Sequence, residues 1–201
     1  ASFVAGASLS TAGVITIQKR SKKEIPLALI PLLFGLQQIT EGFVWISLTK
    51  NIVWLQKIAT QIYVLFSHVL WPVFVPIAIG LVETVPWRKK VIAVFTIIGA
   101  FVAINNLWLV TMFPVRSEIA HHSINYVFSR PSQPFIMYIY IIVTCFSCLF
   151  SSHRILRILG ILAFLFLLIA YYFYIVTLAS VWCFFAAILS FIIYWFFKSK
   201  K

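Results

Sequence analysis

Residues 25–48, IPLALIPLLFGLQQITEGFVWISL, form an apolar run that carries one acid, Glu41. Crossing the roughly 30 Å hydrocarbon core of a bilayer takes about 20 residues of helix, so this run predicts a transmembrane helix. The whole chain follows the same pattern. It is 63% hydrophobic and 10% charged, a composition of integral membrane proteins rather than soluble domains. The apolar stretches are continuous and not alternating, which excludes a β-barrel.

Six further apolar runs lie at about 2–18, 58–82, 91–113, 134–150, 155–174 and 178–197. As one helix the last two would extend about 65 Å, twice the membrane, so a turn is required near 176–180. The expected fold is therefore all-α: a polytopic membrane protein, residues 1–201 forming a single seven-helix transmembrane domain. Basic residues set the expected orientation. Lys19, Arg20, Lys22 and Lys23, then Arg88, Lys89 and Lys90, then Arg154 and Arg157, then Lys198, Lys200 and Lys201 all fall at one set of helix ends. Only Lys50, Lys57, Arg116 and Arg130 fall at the other. The positive-inside rule then puts the N-terminus outside and the C-terminus in the cytoplasm, as for a multi-pass protein of the cell inner (plasma) membrane. An odd number of spans fits this alternation. The net charge of +12 reads as a topology signal with some attraction to anionic membrane lipids, not as a nucleic-acid footprint. Ala1 implies that at least an initiator Met precedes it, and no cleavable signal peptide is expected ahead of the first helix.

An acidic side chain at the centre of a membrane helix costs about 2.5 to 3.5 kcal/mol, so Glu41 marks a functional-site candidate and calls for a partner. Gln37, Gln38 and Trp45 lie three or four residues from it and make a polar stripe that should face the protein interior. On the next span His68 precedes W-P-V-F-V-P at 71–76. Pro72 cannot donate to the His68 carbonyl and Pro76 cannot donate to that of Pro72, so two acceptors are freed at membrane depth and must find other donors. Asn105 and Asn106 on the fourth span, with Ser180, Trp182 and Cys183 on the seventh, reach the same level.

The expectation is an outward-facing pocket in which Glu41 and His68 meet, with Gln37, Gln38, Trp45, Trp71, Asn105, Asn106 and Trp182 around them. Such a pocket would bind a small ligand, a proton or a cation, as in a transporter or sensor. The bland alternatives are a packing role for Glu41, a core histidine at 68 and asparagines that glue helices. The longest loop, 114–133, carries Glu118, His121 and His122. On a short surface helix these would share a face at a spacing suited to a divalent metal ion, which keeps open a metal-dependent intramembrane hydrolase. A non-catalytic subunit of a larger membrane complex is the third alternative. The C-x-x-C of Cys145 and Cys148, near the cytoplasmic end of the fifth helix, is expected to pack, as is Cys183.

Other chemistries are excluded. There is no aspartate, hence no Ser-His-Asp triad, and no G-x-S-x-G elbow. Residues 178–197 hold no lysine for a retinal Schiff base. P-loop, H-E-x-x-H and C-x-x-C-H motifs are missing as well.

The segments ASFVAG (1–6), PLLFGLQQITEGFVW (31–45), HVLWPVFVP (68–76) and SVWCFFAAILS (180–190) resemble a bacterial membrane family catalogued as domain of unknown function 6629. The resemblance implies a multi-helix inner-membrane protein with a short Met-Cys-Phe-Ser-like start before Ala1. It implies no activity, substrate or cofactor. Its recognisable residues, Gln37, Gln38, Glu41, Trp45, His68, Trp71, Pro72, Trp182 and Cys183, largely coincide with the polar set reached from physical chemistry.

Overall fold

The structure, a computed structural model, describes residues 2–18, 20–120, 122–129 and 133–199. Lys19, Arg130, Lys200 and Lys201, which entered the orientation argument, and His121 lie outside the described residues. Among the described residues seven apolar helices run in chain order: α1 Ser2–Ile17, α2 Ile25–Lys50, α3 Val53–Val82, α4 Pro86–Met112, α5 Pro134–Leu149, α6 Arg154–Phe173 and α7 Ile175–Lys198. Five of them, α2, α3, α4, α6 and α7, are long and apolar enough to cross a membrane, while α1 and α5 are shorter.

Local chemistry sets the ends. Asn51 caps α2 in the left-handed region at φ 55°, its N–H returning to the Ser47 carbonyl; a short polar side chain tolerates that conformation, and the chain reverses at once into α3. Proline opens α4 at Pro86 and α5 at Pro134, where a missing N–H costs nothing. The turn required by length falls at Tyr174, after which α7 opens with the 3₁₀ turn Ile175–Thr177.

Helices α1 and α2 lie antiparallel at backbone distance. A Cβ at Gly6 would sit 2.9 Å from the Gly35 carbonyl oxygen, and one at Gly35 would meet the Ser10 backbone nitrogen at 2.7 Å. Small residues allow this approach, which is how helices associate where lipid removes the hydrophobic drive.

Helix α3 passes through Pro72 and Pro76 without breaking, but Leu65–Leu70 just before them widens into a π-helical turn. The extra residue relieves the clash of the Pro72 ring with the preceding turn. The freed His68 carbonyl accepts from Asn106 Nδ2 at 2.8 Å, and the Ser67 carbonyl accepts from the Tyr140 hydroxyl at 2.7 Å. The Pro72 carbonyl lies against Gly99 of α4, at a place with no room for a Cβ.

The loop 114–133 is not a surface helix. Val115–Ala120 (β1) and Ser123–Phe128 (β2) pair as an antiparallel hairpin, Val115 facing Phe128 and Ala120 facing Ser123. The stretch S-I-N-Y-V-F alternates, with Ile124 and Tyr126 buried against the bundle, as a period of two requires. Gln56 Nε2 donates to the Ser117 carbonyl at 2.8 Å and the Thr60 hydroxyl to Ser117 Oγ at 2.8 Å, pinning the hairpin across the end of α3.

At the opposite end of the bundle Glu83 joins two loops. One carboxylate oxygen accepts the backbone N–H groups of Thr84 and Val85 at 3.0 and 2.9 Å, and the other accepts that of Ser152 at 2.6 Å. Arg88 donates to the Ser151 carbonyl beside it at 2.9 Å.

Candidate functional site

Glu41 faces the bundle interior and is 2% exposed. Ser180, at the start of α7, donates to its Oε1 at 2.6 Å. Tyr63, Gln38 and Ser2 also present polar groups to the carboxyl, and the Tyr63 hydroxyl donates at 3.4 Å to the Ala179 carbonyl. Gln37 accepts from the Trp71 indole N–H at 2.7 Å, while Trp71 stacks on Phe34 with ring centroids 3.9 Å apart.

Several polar atoms in this cluster are buried without a hydrogen-bond partner among the described residues: Gln37 Nε2, both amide atoms of Gln38, and the Tyr126 hydroxyl. Each costs about 1–3 kcal/mol in a dry interior. They leave hydrogen-bonding capacity unused beside the buried carboxyl. Tyr126 belongs to the hairpin, where it stacks on Tyr63 at 4.5 Å, nearly parallel. Burial, with Glu41 and Cys183 close by, pushes its phenol well above the ordinary value. It is therefore a neutral donor.

His68 stands apart from this cluster. It lies in the π-helical turn, its Nδ1 2.7 Å from Ser67 Oγ and its ring tilted against Phe128 of the hairpin at 5.2 Å. It lines a cavity of about 620 Å³ under the hairpin, shared with Asn106, Tyr126, Gln133, Tyr140, Trp182 and Cys183. Glu41 does not line that cavity. The expected meeting of Glu41 and His68 in one pocket is thus replaced by two adjoining sites, the carboxyl cluster and the His68 cavity. Tyr126 and Cys183 line the cavity and adjoin the carboxyl, so they form the partition. His68 lies within the π-helical turn Leu65–Leu70, where side chains depart from the roughly 100° spacing of a regular helix on which the expected meeting was based.

The remaining expected residues divide accordingly. Trp182 lines the His68 cavity and also a smaller one of about 80 Å³, which Trp71 lines too. Asn106 acts as helix glue and cavity wall at once, through its bond to the His68 carbonyl. Asn105 donates to Gln133 Oε1 at 3.2 Å, at the cavity's edge. Trp45 packs half-buried in the hydrophobic cluster with Val44, Ala59 and Tyr63, and lines neither cavity. Cys145, Cys148 and Cys183 are buried free thiols.

The metal reading loses its helical premise. Glu118 lies on β1, its carboxylate accepting from Asn125 Nδ2 at 2.7 Å across the hairpin, and His122 occupies the turn with φ 62°. His121 is outside the described residues. Among the described residues no three His, Cys, Asp or Glu side chains gather as a metal-binding group.

Sequence reasoning missed Tyr63, Tyr126, Gln133 and Tyr140. The alternation of Ile124, Tyr126 and Phe128 was the signal for one of them; nothing local marked the others, which are placed by packing. In comparison with known proteins, the model of a family described as a family of unknown function (DUF6629) matches residues 1–201. No curated protein and no solved structure matches the chain.

Proposed function

Since the chain belongs to DUF6629, a family whose description carries no activity, we propose a function from the chemistry of the site: a seven-span membrane protein that binds a small ligand in the hairpin-roofed cavity and works as a transporter or sensor. Its N-terminus and hairpin face outward and its C-terminus faces the cytoplasm of the inner membrane. Supporting this orientation, Lys50, Lys57 and Arg116 are the described basic residues at the hairpin end, whereas Arg20, Lys22, Lys23, Arg88, Lys89, Lys90, Arg154, Arg157 and Lys198 lie at the other.

The observation that carries the reading is the cavity of about 620 Å³. That size suits a small molecule, and a few polar groups, His68, Asn106 and Gln133, converge on mainly apolar walls. With Nδ1 engaged by Ser67, His68 has only Nε2 to offer a ligand. Glu41 then serves as the proton- or cation-responsive group behind the Tyr126 partition, so that a ligand pressing on Tyr126 and Cys183 is sensed at the carboxyl.

The test is made on purified protein in proteoliposomes. Proton flux across the vesicle wall and the thermal shift produced by a panel of neutral and cationic small molecules are compared for wild type, Glu41→Gln and His68→Ala. Loss of the ligand-induced shift in His68→Ala and of flux in Glu41→Gln is expected. If both variants retain ligand binding, proton flux and fold unchanged, the reading is refuted.

A further inference from the structure

We infer that the ligand of the hairpin-roofed cavity is a single-chain amphiphile with a neutral, hydrogen-bonding head, its chain threading past Trp182 into the smaller apolar cavity deeper in the bundle. The inference rests on the reading of the larger cavity as the ligand site and adds the class of molecule that fits there.

The two cavities share one wall. Tyr140, Trp182 and Cys183 line both. The polar ends of the two aromatic residues are already satisfied, the Tyr140 hydroxyl on the Ser67 carbonyl at 2.7 Å and the Trp182 indole N–H on the Ala163 carbonyl at 3.1 Å. Their rings, 5.9 Å apart and steeply inclined, therefore present apolar surface at the junction. Beyond it the smaller cavity, of about 80 Å³, is walled by Ile30, Phe34, Val75, Ile79, Leu159 and Ile193. His68 and Ile79 lie eleven residues apart on one helix, a rise of about 16 Å. The path thus leads from the hairpin end toward the opposite end of the bundle, along the direction a chain would take in the surrounding bilayer.

The head group follows from what the wider part lacks. Among the described residues, no Lys, Arg, Asp or Glu lines either cavity. A charged head placed there would lose its hydration with no opposite charge among the described lining residues to replace it. A wholly apolar molecule would leave the polar edge of His68, Asn106 and Gln133 facing hydrocarbon, and a wholly polar one would leave the deeper cavity unfilled. A neutral head with hydroxyl, ester or amide groups and one aliphatic chain satisfies both ends.

Delipidated protein in detergent is tested by native mass spectrometry with monobutyrin, monocaprylin, monolaurin and monopalmitin as probes, each affinity expressed against the free aqueous probe after correction for the amount taken up by the micelles. Affinity is expected to rise about 3- to 4-fold per methylene until the deeper cavity is full and then to level. Ala186→Phe, which adds a ring to the wall of that cavity, should bring the plateau to a shorter chain, and His68→Ala should weaken every probe by a common factor. Laurate and lauryl trimethylammonium should bind more weakly than monolaurin.

Binding that His68→Ala weakens but that ignores chain length refutes the amphiphile while leaving the ligand pocket standing. Tighter binding of either charged probe refutes the neutral head. If Ala186→Phe does not fold, the chain-length series on wild type decides alone, and no saturable binding of any probe overturns the inference.

Discussion

The hydrogen bond from Asn106 to the His68 carbonyl exists because Pro72 took that carbonyl's natural donor away, and this dependence can be measured. Asn106→Ala removes the 2.8 Å bond and leaves a backbone acceptor unpaired. A neutral interhelical hydrogen bond in a membrane is worth about 0.6 kcal/mol on average and up to about 1.7. An orphaned buried acceptor raises the cost toward about 1–3 kcal/mol. The adjoining cavity can admit a water to the freed carbonyl, which argues for the lower part of that range, about 1–2 kcal/mol. For a chain of this size that lowers the unfolding midpoint by roughly 2–8 °C. The decisive measurement is a double-mutant cycle with Pro72→Ala, read by thermal unfolding in detergent. Restoring an N–H at position 72 supplies the His68 carbonyl with an in-helix donor, so Asn106→Ala should cost about 1 kcal/mol less in that background. Additive effects, with Asn106→Ala equally damaging whether or not Pro72 is present, would refute the account of the π turn and its replacement donor.

Three other outcomes follow from the same structure. Burial works to raise the Glu83 carboxyl, but N–H donation from Ser152, Val85 and Thr84 outweighs it and holds the group below its ordinary 4.5. The stability it contributes is therefore present above that value and lost as pH falls through the depressed folded value; the wild-type melting temperature should drop over this acidic range more steeply than that of Glu83→Gln, and parallel pH curves would contradict it. Gly99→Ala places a methyl against the Pro72 carbonyl and should cost about 1–3 kcal/mol through displacement of α4 from α3, seen as a lowered melting temperature; a neutral result would mean the helices are not that close. Ser180→Ala removes the 2.6 Å donor to Glu41 and should cost about 1.5–3 kcal/mol if the carboxyl is charged and about 1 if it is neutral, so repeating the melt across pH shows which state the bundle holds.

The seven apolar helices were legible because lipid imposes a length on each apolar run, and the observed ends fall within a few residues of those read from the chain. Even the turn at Ile175–Thr177 followed from length alone. The pairing of Glu41 with Ser180 and of the His68 carbonyl with Asn106 joins residues that the sequence had placed in the same half of the bundle, since rise per residue is fixed. Azimuth was not legible. Which way His68 points depends on the extra residue of Leu65–Leu70, a response to Pro72 and to packing against α4 that no local spacing announces. The hairpin was hidden for a different reason. Glu118, His121 and His122 fit a helical face as well as a strand and turn, and only the alternation of Ile124, Tyr126 and Phe128 decided for strands.

The close approach of α1 and α2 has a mechanical consequence. At Gly6, Gly13, Gly35 and Gly42 one helix leaves space for little more than hydrogen beside the other, so neither slides nor rolls without a collision, and the two form a stator. Glu41 is mounted on that stator, whereas its donor Ser180 rides on α7. A displacement of α7 relative to this pair therefore stretches the 2.6 Å contact between Ser180 and Glu41, so the carboxyl is tied to the position of a helix other than its own.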